Sequence, residues 1–392
     1  MVSRAEKSAF GEWWWTVDRV LLLAFLILIG GGVVMSFAAS PGAAAREGLP
    51  AYHFIERHLV YVIPAVIVLI ATSFLSPRDA RRLCLLLLVI SVVALFLTQY
   101  LGVVQKGSRR WLKFAGFSIQ PTEFVKPAFV VVCAWLFGEG LKRPDMPGNL
   151  IAFGLLGVVV MLLCRQPDVG QTALVVTVWA LMFFIASMPW LWMVLLGAAG
   201  AGGLVATYLF FNHVRNRVND FVNSFSSNAE SGLQVVKAKE SIIRGGWFGV
   251  GPGEGIVKRS IPDSHTDFIF AVIGEEFGII TCLLLVALIA AIVMRGFWHA
   301  FRQNDPFLRL AVAGLTALYG VQSMINIAVN LNMLPTKGMT LPFISYGGSS
   351  LIAVAFSVGL LLALSRQRAS ALSFHMQRPT MIATKPASAG AR

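Results

Sequence analysis

Acidic residues and cysteines are both scarce in this chain, and each shortage removes a class of explanation. Asp and Glu number 19 against 32 Lys and Arg in 392 residues, and charged residues of both signs make up only 13% of the total. A chain so poor in charge cannot clothe an ordinary water-facing surface. The net charge of +13 would suit nucleic acid, but the basic residues are scattered among connecting segments rather than gathered on one folded face. Cys84, Cys133, Cys164 and Cys282 all fall in apolar segments, which excludes a secreted disulfide framework or a metal-ligand cluster and leaves them as small packing residues. There is no repeat of fixed period and no compositionally distinct soluble domain.

What the chain has instead is apolar sequence in long blocks. Hydrophobic residues make up 57%, and the mean hydropathy is +0.74. Windows near 17–39, 58–75, 83–101, 121–138, 149–164, 171–188, 190–212, 268–294, 307–333 and 343–365 approach or exceed the ~20 residues that cross a bilayer. They predict an all-α, polytopic integral membrane protein of about ten transmembrane helices. The first block, Val17 to Ala39, is longer than a signal-peptide core, and although Phe37-Ala38-Ala39-Ser40 imitates a cleavage site it is expected to remain as an anchor. Residues 1–16 then form a cytoplasmic segment, 17–366 a membrane domain with a large outer loop at 213–266, and 367–392 a polar cytoplasmic tail expected to be disordered.

With the N-terminus inside, the inner connections collect Arg4, Lys7, Arg19, Arg78, Arg81, Arg82, Lys142, Arg143, Arg295, Arg302 and Arg309, as the positive-inside rule requires. The outer connections are basic as well. Lys106, Arg109, Arg110 and Lys113 crowd the one between helices 3 and 4, and Arg215, Arg217, Lys237, Lys239, Arg244, Lys258 and Arg259 occupy the long loop. Charges placed against the topological bias point to an external site for a phosphate-bearing substrate, because Arg forks and Lys point charges partner phosphate oxygens; a merely solvated outer face is the alternative.

On this topology SRRW (108–111), QPTEFVK (120–126), QPDVG (166–170), SHTDF (264–268) and LPTKGMTLPFISYGGSS (334–350) all fall at the outer face. A transporter needs access from both sides and a site near the midplane, so a one-sided collection fits an enzyme of the outer interface better. Pro121 suits the first turn of the fourth helix, which puts Glu123 and Lys126 on one face, able to pair with each other or across the bundle. Asp267 is expected to open the eighth helix at the same depth and to pair with Lys126, above a small-residue face of Ala271, Gly274 and Gly278 that a neighbouring helix or a substrate could approach. Glu275 and Glu276 lie ~12 Å deeper on that helix. In hydrocarbon they must be protonated, partnered or beside a wet cavity, either as structural pairs or as substrate contacts. Gln322, Asn326 and Asn330 recur every fourth residue as a polar stripe, facing that cavity or bonding a neighbouring helix. In SGLQVVKAKESIIRGG, Leu233, Val236 and Ile243 take one helical face and Lys237, Glu240 and Arg244 another, as in a short helix on the membrane surface.

These motifs, in this order over roughly residues 13–366, resemble the SEDS family of bacterial shape, elongation, division and sporulation proteins, and the last motif is closer to its division member than to its elongation member. The resemblance implies a ten-helix fold in the bacterial inner membrane, at the division septum, that polymerises lipid II into glycan strands on the periplasmic side. Its implied partners are lipid II, a class B penicillin-binding transpeptidase of the FtsI type, other divisome membrane proteins and membrane lipids, with no nucleic acid. The family's essential acidic residue falls on Asp267, and its fourth-helix acidic and basic positions fall on Glu123 and Lys126. Its arginine before tryptophan falls on Arg110, and Asp168 and Gly170 match, whereas Gln171 stands where many members carry threonine, which weakens any claim for that side chain. Arg109, His265, Thr266, Lys337, Ser345 and Tyr346 complete the residues expected to bind substrate or support the site.

The chemistry suits these residues. Lipid II carries a disaccharide on undecaprenyl pyrophosphate, which is already a good leaving group, so one carboxylate base with cationic neighbours is enough, unlike a glycoside hydrolase that must also supply an acid. Asp267 is then base or hydroxyl orienter, Lys126 its positioning partner, and Arg110 with nearby cations the pyrophosphate ligands. A divalent cation, Mg or Mn, could neutralise the pyrophosphate, though no metal motif is readable. A lipid II flippase and a non-catalytic divisome scaffold are the competing readings; a flippase would need ionisable residues along the whole path, and inner-half motifs are sparse.

Overall fold

In a computed structural model of the chain, the structure describes residues 8–105, 108–114, 117–143, 145–186, 190–210, 212–223, 233–335 and 338–366. The chain divides into two compact units. The smaller contains α1 (Ala9–Thr16), capped by the Ser8 hydroxyl, which accepts from Gly11 N–H at 3.0 Å, and Arg366, whose Nε donates to Thr16 Oγ1 at 2.8 Å.

The larger unit, Asp18–Ser365, holds the membrane helices. Among the described residues, seven helices are long and apolar enough to cross a bilayer: α2 (Arg19–Glu47), α3 (His53–Ser73), α4 (Pro77–Leu101), α5 (Pro121–Lys142), α6 (Gly148–Arg165), α11 (Ile269–Phe301) and α12 (Pro306–Asn330). Three shorter apolar stretches, α7 (Val169–Ile185), Val194–Phe210 within α8 (Trp190–Phe210) and α13 (Ser349–Ser365), bring the apolar helices to the predicted ten. Several run past the predicted windows because polar first turns extend them, as at Ser76-Pro77, where Ser76 caps α4 ahead of Arg78 and Arg81.

One end of the bundle is closed by conventional pairs. Asp18 caps α2 by accepting from Val20 and Leu21 N–H and also receives Arg295 Nε at 2.7 Å and His299. Lys142 meets Asp305 at 2.9 Å, and Asp305 caps α12. This is the arginine-rich end, the one the sequence expects to face the cytoplasm.

The opposite end, which carries the motifs, is built differently. The segment between α4 and α5 is not a bare loop but an antiparallel sheet, order β1-β2-β3, of Val103–Gln105, Ser108–Phe114 and Phe117–Ile119. The long loop contains α9 (Asn212–Asn223), the predicted amphipathic helix as α10 (Leu233–Gly245), and a 3-10 turn at Val257–Ser260. Val235, Ala238 and Ser241 of α10 are buried, while Val236 and Ile243 stay exposed.

Helix α11 is broken at Gly278, which takes φ 83° and ψ 175°, a conformation an L side chain resists. The break lets the segment after α10 splice in: Ile279 and Ile280 N–H donate to Gly246 and Trp247 carbonyls, and Val250 and Gly251 N–H to those of Glu275 and Glu276. From Gly278 to Arg295 the helix rises ~25 Å, close to the thickness of a hydrocarbon core. The predicted small-residue face is therefore neither continuous nor open: Ile242 lies against Gly274, and Gly245 packs directly on the Gly274 carbonyl.

Candidate functional site

Glu275 and Glu276 are structural. The Glu275 carboxylate accepts from Ile256, Val257 and Lys258 N–H, each at 2.8 Å, and from Ser241 Oγ at 2.7 Å, thereby capping the 3-10 turn. Glu276 is paired with Lys258, whose Nζ also donates to Ala38 O at 2.8 Å. Lys258, counted in sequence as a phosphate ligand, is buried in this pair and unavailable to a ligand.

Sheet geometry explains the two arginines of SRRW. Successive β2 side chains point to opposite faces. Arg109 turns back to the C-terminal carbonyls of α4, Gln99 O at 3.2 Å and Tyr100 O at 3.3 Å, where a cation complements the helix dipole. Arg110 turns inward, donating to Pro167 O at 3.0 Å and lying 3.4 Å from Asp168 Oδ2. Asp168 is the N-cap of α7, and burial lifts its carboxyl above the ordinary aspartate value against the opposing pull of Arg110. Arg109 is thus a helix cap, whereas Arg110 belongs to the site.

Glu123 and Lys126 pair within the first turns of α5, as one of the two sequence options had it, at 2.9 Å with 4% and 2% of their side chains exposed. The direct pair with Asp267 is not what holds Lys126. Its Nζ donates instead to Gln322 Oε1 at 3.0 Å, beside a cavity of about 20 Å³, room for one water, lined also by Tyr319 and Ser357. Glu123 accepts further from Gln171 Nε2 at 2.9 Å and Ser350 Oγ at 3.2 Å. Gln171, discounted in sequence, is therefore a member of the network. Its signal was a long amide one turn after a capping aspartate on an otherwise apolar helix.

Asp267 does not open a helix. It sits in the turn ahead of α11, whose N-cap is Phe268, and its carbonyl accepts from Asn326 and Asn330 Nδ2, both at 3.0 Å. Measured along α12 from Gln322, those two amides lie ~6–12 Å further toward the motif end, so Asp267 stands above Lys126 rather than level with it. The turn is pinned locally by Asp263, at φ 56°, whose carbonyl accepts Thr266 N–H and Thr266 Oγ1. His265 is buried, stacked on Phe54 at 4.0 Å between ring centroids and tilted against Tyr346 at 5.7 Å, and its carbonyl accepts Tyr346 N–H. Burial lifts the Tyr346 phenol above its usual value, with Arg57 opposing. Ser345 closes its own turn, accepting from Leu341 N–H at 2.8 Å. His265 and Tyr346 thus join the Asp267 turn to the 338–348 loop, while Thr266 and Ser345 each brace their own segment. Lys106 and Lys337 lie outside the described residues, as does the Arg217 side chain.

The result is one connected path through motifs far apart in sequence. It runs from Arg110 to Asp168, through Gln171 to Glu123 and Lys126, then by Gln322 Nε2 to Thr340 O at 3.2 Å, and by Asn326 Nδ2 from Met339 O to Asp267 O. Among the described residues no group of three or more His, Cys, Asp or Glu could hold a metal ion.

The sequence matches the cell cycle protein family of FtsW, RodA and SpoVE over residues 18–370. It is 46% identical over 370 residues to a probable peptidoglycan glycosyltransferase FtsW of Caulobacter vibrioides, covering 94% of each chain. It is 32% identical to stage V sporulation protein E of Bacillus subtilis, over 85% of this chain and 93% of that one. Among solved structures it is similar to a chain described under structural coordination of polymerization and crosslinking by a peptidoglycan synthase complex, with a TM-score of 0.74 and 26% identity over 89% of this chain and 97% of that one. The rod shape determining protein RodA of Thermus thermophilus matches with a TM-score of 0.63 and 26% identity, covering 89% and 96%.

Proposed function

The chain belongs to the cell cycle protein family of FtsW, RodA and SpoVE, and from that premise and the geometry of its site we propose that it is a peptidoglycan glycosyltransferase polymerising lipid II at the outer face of the cytoplasmic membrane during division. The observation that carries the reading is the connected path itself: Asp267, partly exposed, is held through its carbonyl at the motif end, about one to two turns above a buried, fully partnered Glu123–Lys126 pair that links on to Asp168 and Arg110. Buried ion pairs are costly to assemble for stability alone, and perturbed or paired carboxylates gather where chemistry is done.

In the reaction the acceptor GlcNAc 4-hydroxyl oxygen bonds to the donor MurNAc anomeric carbon while that carbon's bond to pyrophosphate breaks. Asp267 takes or orients the hydroxyl proton, and undecaprenyl pyrophosphate leaves with the bonding electrons. Arg110, at the far end of the path, is the candidate cation for the leaving pyrophosphate; Lys126 holds the network's charge balance about one to two turns below Asp267. The site faces the periplasm at the septum, and the expected partner is a class B transpeptidase docked through its single transmembrane helix.

The reading is tested with purified protein, its transpeptidase partner and labelled lipid II in detergent. Glycan strands lengthening over time support it. Movement of lipid II between leaflets of sealed vesicles with no polymer formed would establish the flippase instead, and neither activity would leave a scaffold.

A further inference from the structure

The stripe Gln322, Asn326 and Asn330 does more than satisfy neighbouring helices. Three amides, spaced by four residues, project from one face of α12 over ~12 Å, and every hydrogen bond they make outside their own helix goes to a site element. Asn330 straddles the start of α11: its Oδ1 accepts Ala271 N–H at 3.1 Å, while its Nδ2 donates to Asp267 O. Asn326 Nδ2 is shared between Asp267 O and Met339 O, the latter at 2.6 Å. Gln322 receives Lys126 and donates to Thr340 O. Asn330 Nδ2 also bonds back to the Asn326 carbonyl at 2.9 Å, which locks adjacent rungs together.

We propose that these three amides are a positioning ladder, with α12 as the rigid rule that sets Asp267, the 338–340 loop and Lys126 in register. The proposal rests on the catalytic reading of Asp267 given above. A helix start offers N–H groups with no partner inside the helix, and a turn such as the one holding Asp267 has no regular ladder of its own. The Asn330 amide serves both, sharing the Ala271 N–H with Phe268 O at the helix start and donating to the turn. Because the Asp267 carbonyl and carboxylate share one α-carbon, fixing the carbonyl limits where the carboxylate can swing. Gly338, at positive φ, brings the other wall close: a β-carbon built there would sit 3.6 Å from Asp267 Oδ2. Asn326, bonded to both Asp267 and Met339 carbonyls, keeps that wall and the carboxylate moving as one body.

The test compares full-length Asn326→Leu, Asn330→Leu and Asn330→Asp with Ser323→Ala, whose hydroxyl donates to Tyr319 O of its own helix. Amide hydrogen exchange is followed over residues 264–272 and 338–345, and kcat and half-saturation by lipid II are measured separately. The leucine variants are expected to exchange about tenfold faster in both segments and to lose roughly 10- to 100-fold in kcat with half-saturation nearly unchanged, since a displaced reacting group costs rate before binding. Asn330→Asp keeps the acceptor for Ala271 N–H but not the donor, so protection at Ala271 should survive while kcat still falls. Ser323→Ala should match the wild type. Unchanged exchange over 264–272 in both leucine variants, or wild-type kcat in them while Asp267→Asn is inactive, overturns the ladder. Wild-type turnover by Asp267→Asn would instead remove the catalytic reading, and the exchange data would still decide whether the ladder holds the turn.

Discussion

Two sets of buried acids at the same end of the bundle have opposite surroundings. Glu275 is saturated by three backbone N–H groups and a hydroxyl, and Glu276 is closed off by Lys258. Their partners come from one contiguous loop and serve to weld it into the break of α11. Glu123 and Asp168, by contrast, draw on side chains from three helices and a strand, and connect through Lys126, Gln322 and Asn326 to the turn of Asp267, which remains partly exposed. A buried acid whose donors are mostly backbone has a fixed place. One whose donors are side chains of separate elements can exchange partners, and that is the arrangement a reaction cycle needs.

The strongest test of this contrast is Asp267→Asn. Polymerisation should fall by a factor on the order of 10²–10⁴ with the unfolding midpoint and partner binding unchanged, as expected for loss of a general base; a correctly folded variant with wild-type rate would take Asp267 out of the mechanism. The same comparison from the structural side uses Lys258→Met. Leaving Glu276 buried without its ion-pair partner should cost about 3–5 kcal/mol, and adding Glu276→Met should recover most of it, because a buried pair replaced by apolar groups of similar size is nearly neutral. If the single variant is as stable as the wild type, the weld is not held by this pair. Gln171→Leu removes one donor from Glu123 and should lower stability by about 1–3 kcal/mol while slowing turnover, whereas Arg109→Ala, at a helix end, should change turnover little. Equal losses of turnover in the two would erase the distinction drawn between network and cap.

The smallest effect belongs to the arginine-rich end. Burial opposes ionisation of Asp18, but His299, the Leu21 N–H and Arg295 outweigh it and hold its pKa well below the ordinary value of 3.8. A depressed carboxylate contributes stability that is present above its unfolded value and is lost as pH falls through its folded one. Thermal stability of the wild type should therefore decline below pH 3.8, and Asp18→Asn should flatten that decline. An identical pH profile in the variant would mean that other carboxylates carry it.

The ten apolar helices, the acid–base pair on one face of α5 and the amphipathic α10 were legible because each depends on residues near in sequence: hydrocarbon thickness fixes the length of an apolar run, and 3.6 residues per turn fixes which side chains share a face. Sequence alone also separated Glu275 and Glu276 from Asp267, though only by distance along an assumed unbroken helix. What it could not show depends on long-range closure. Gly278 reads as one more small helical residue until residues 246–251 fill the break, and Lys258 reads as a loop cation until it meets Glu276 and Ala38. The partner of Lys126 likewise turned on 196 residues of intervening chain. Local periodicity determined the membrane frame of this protein and the candidates for its chemistry. Only the tertiary structure decided which buried charges meet, because desolvation makes every one of them find a partner without specifying from which helix it must come.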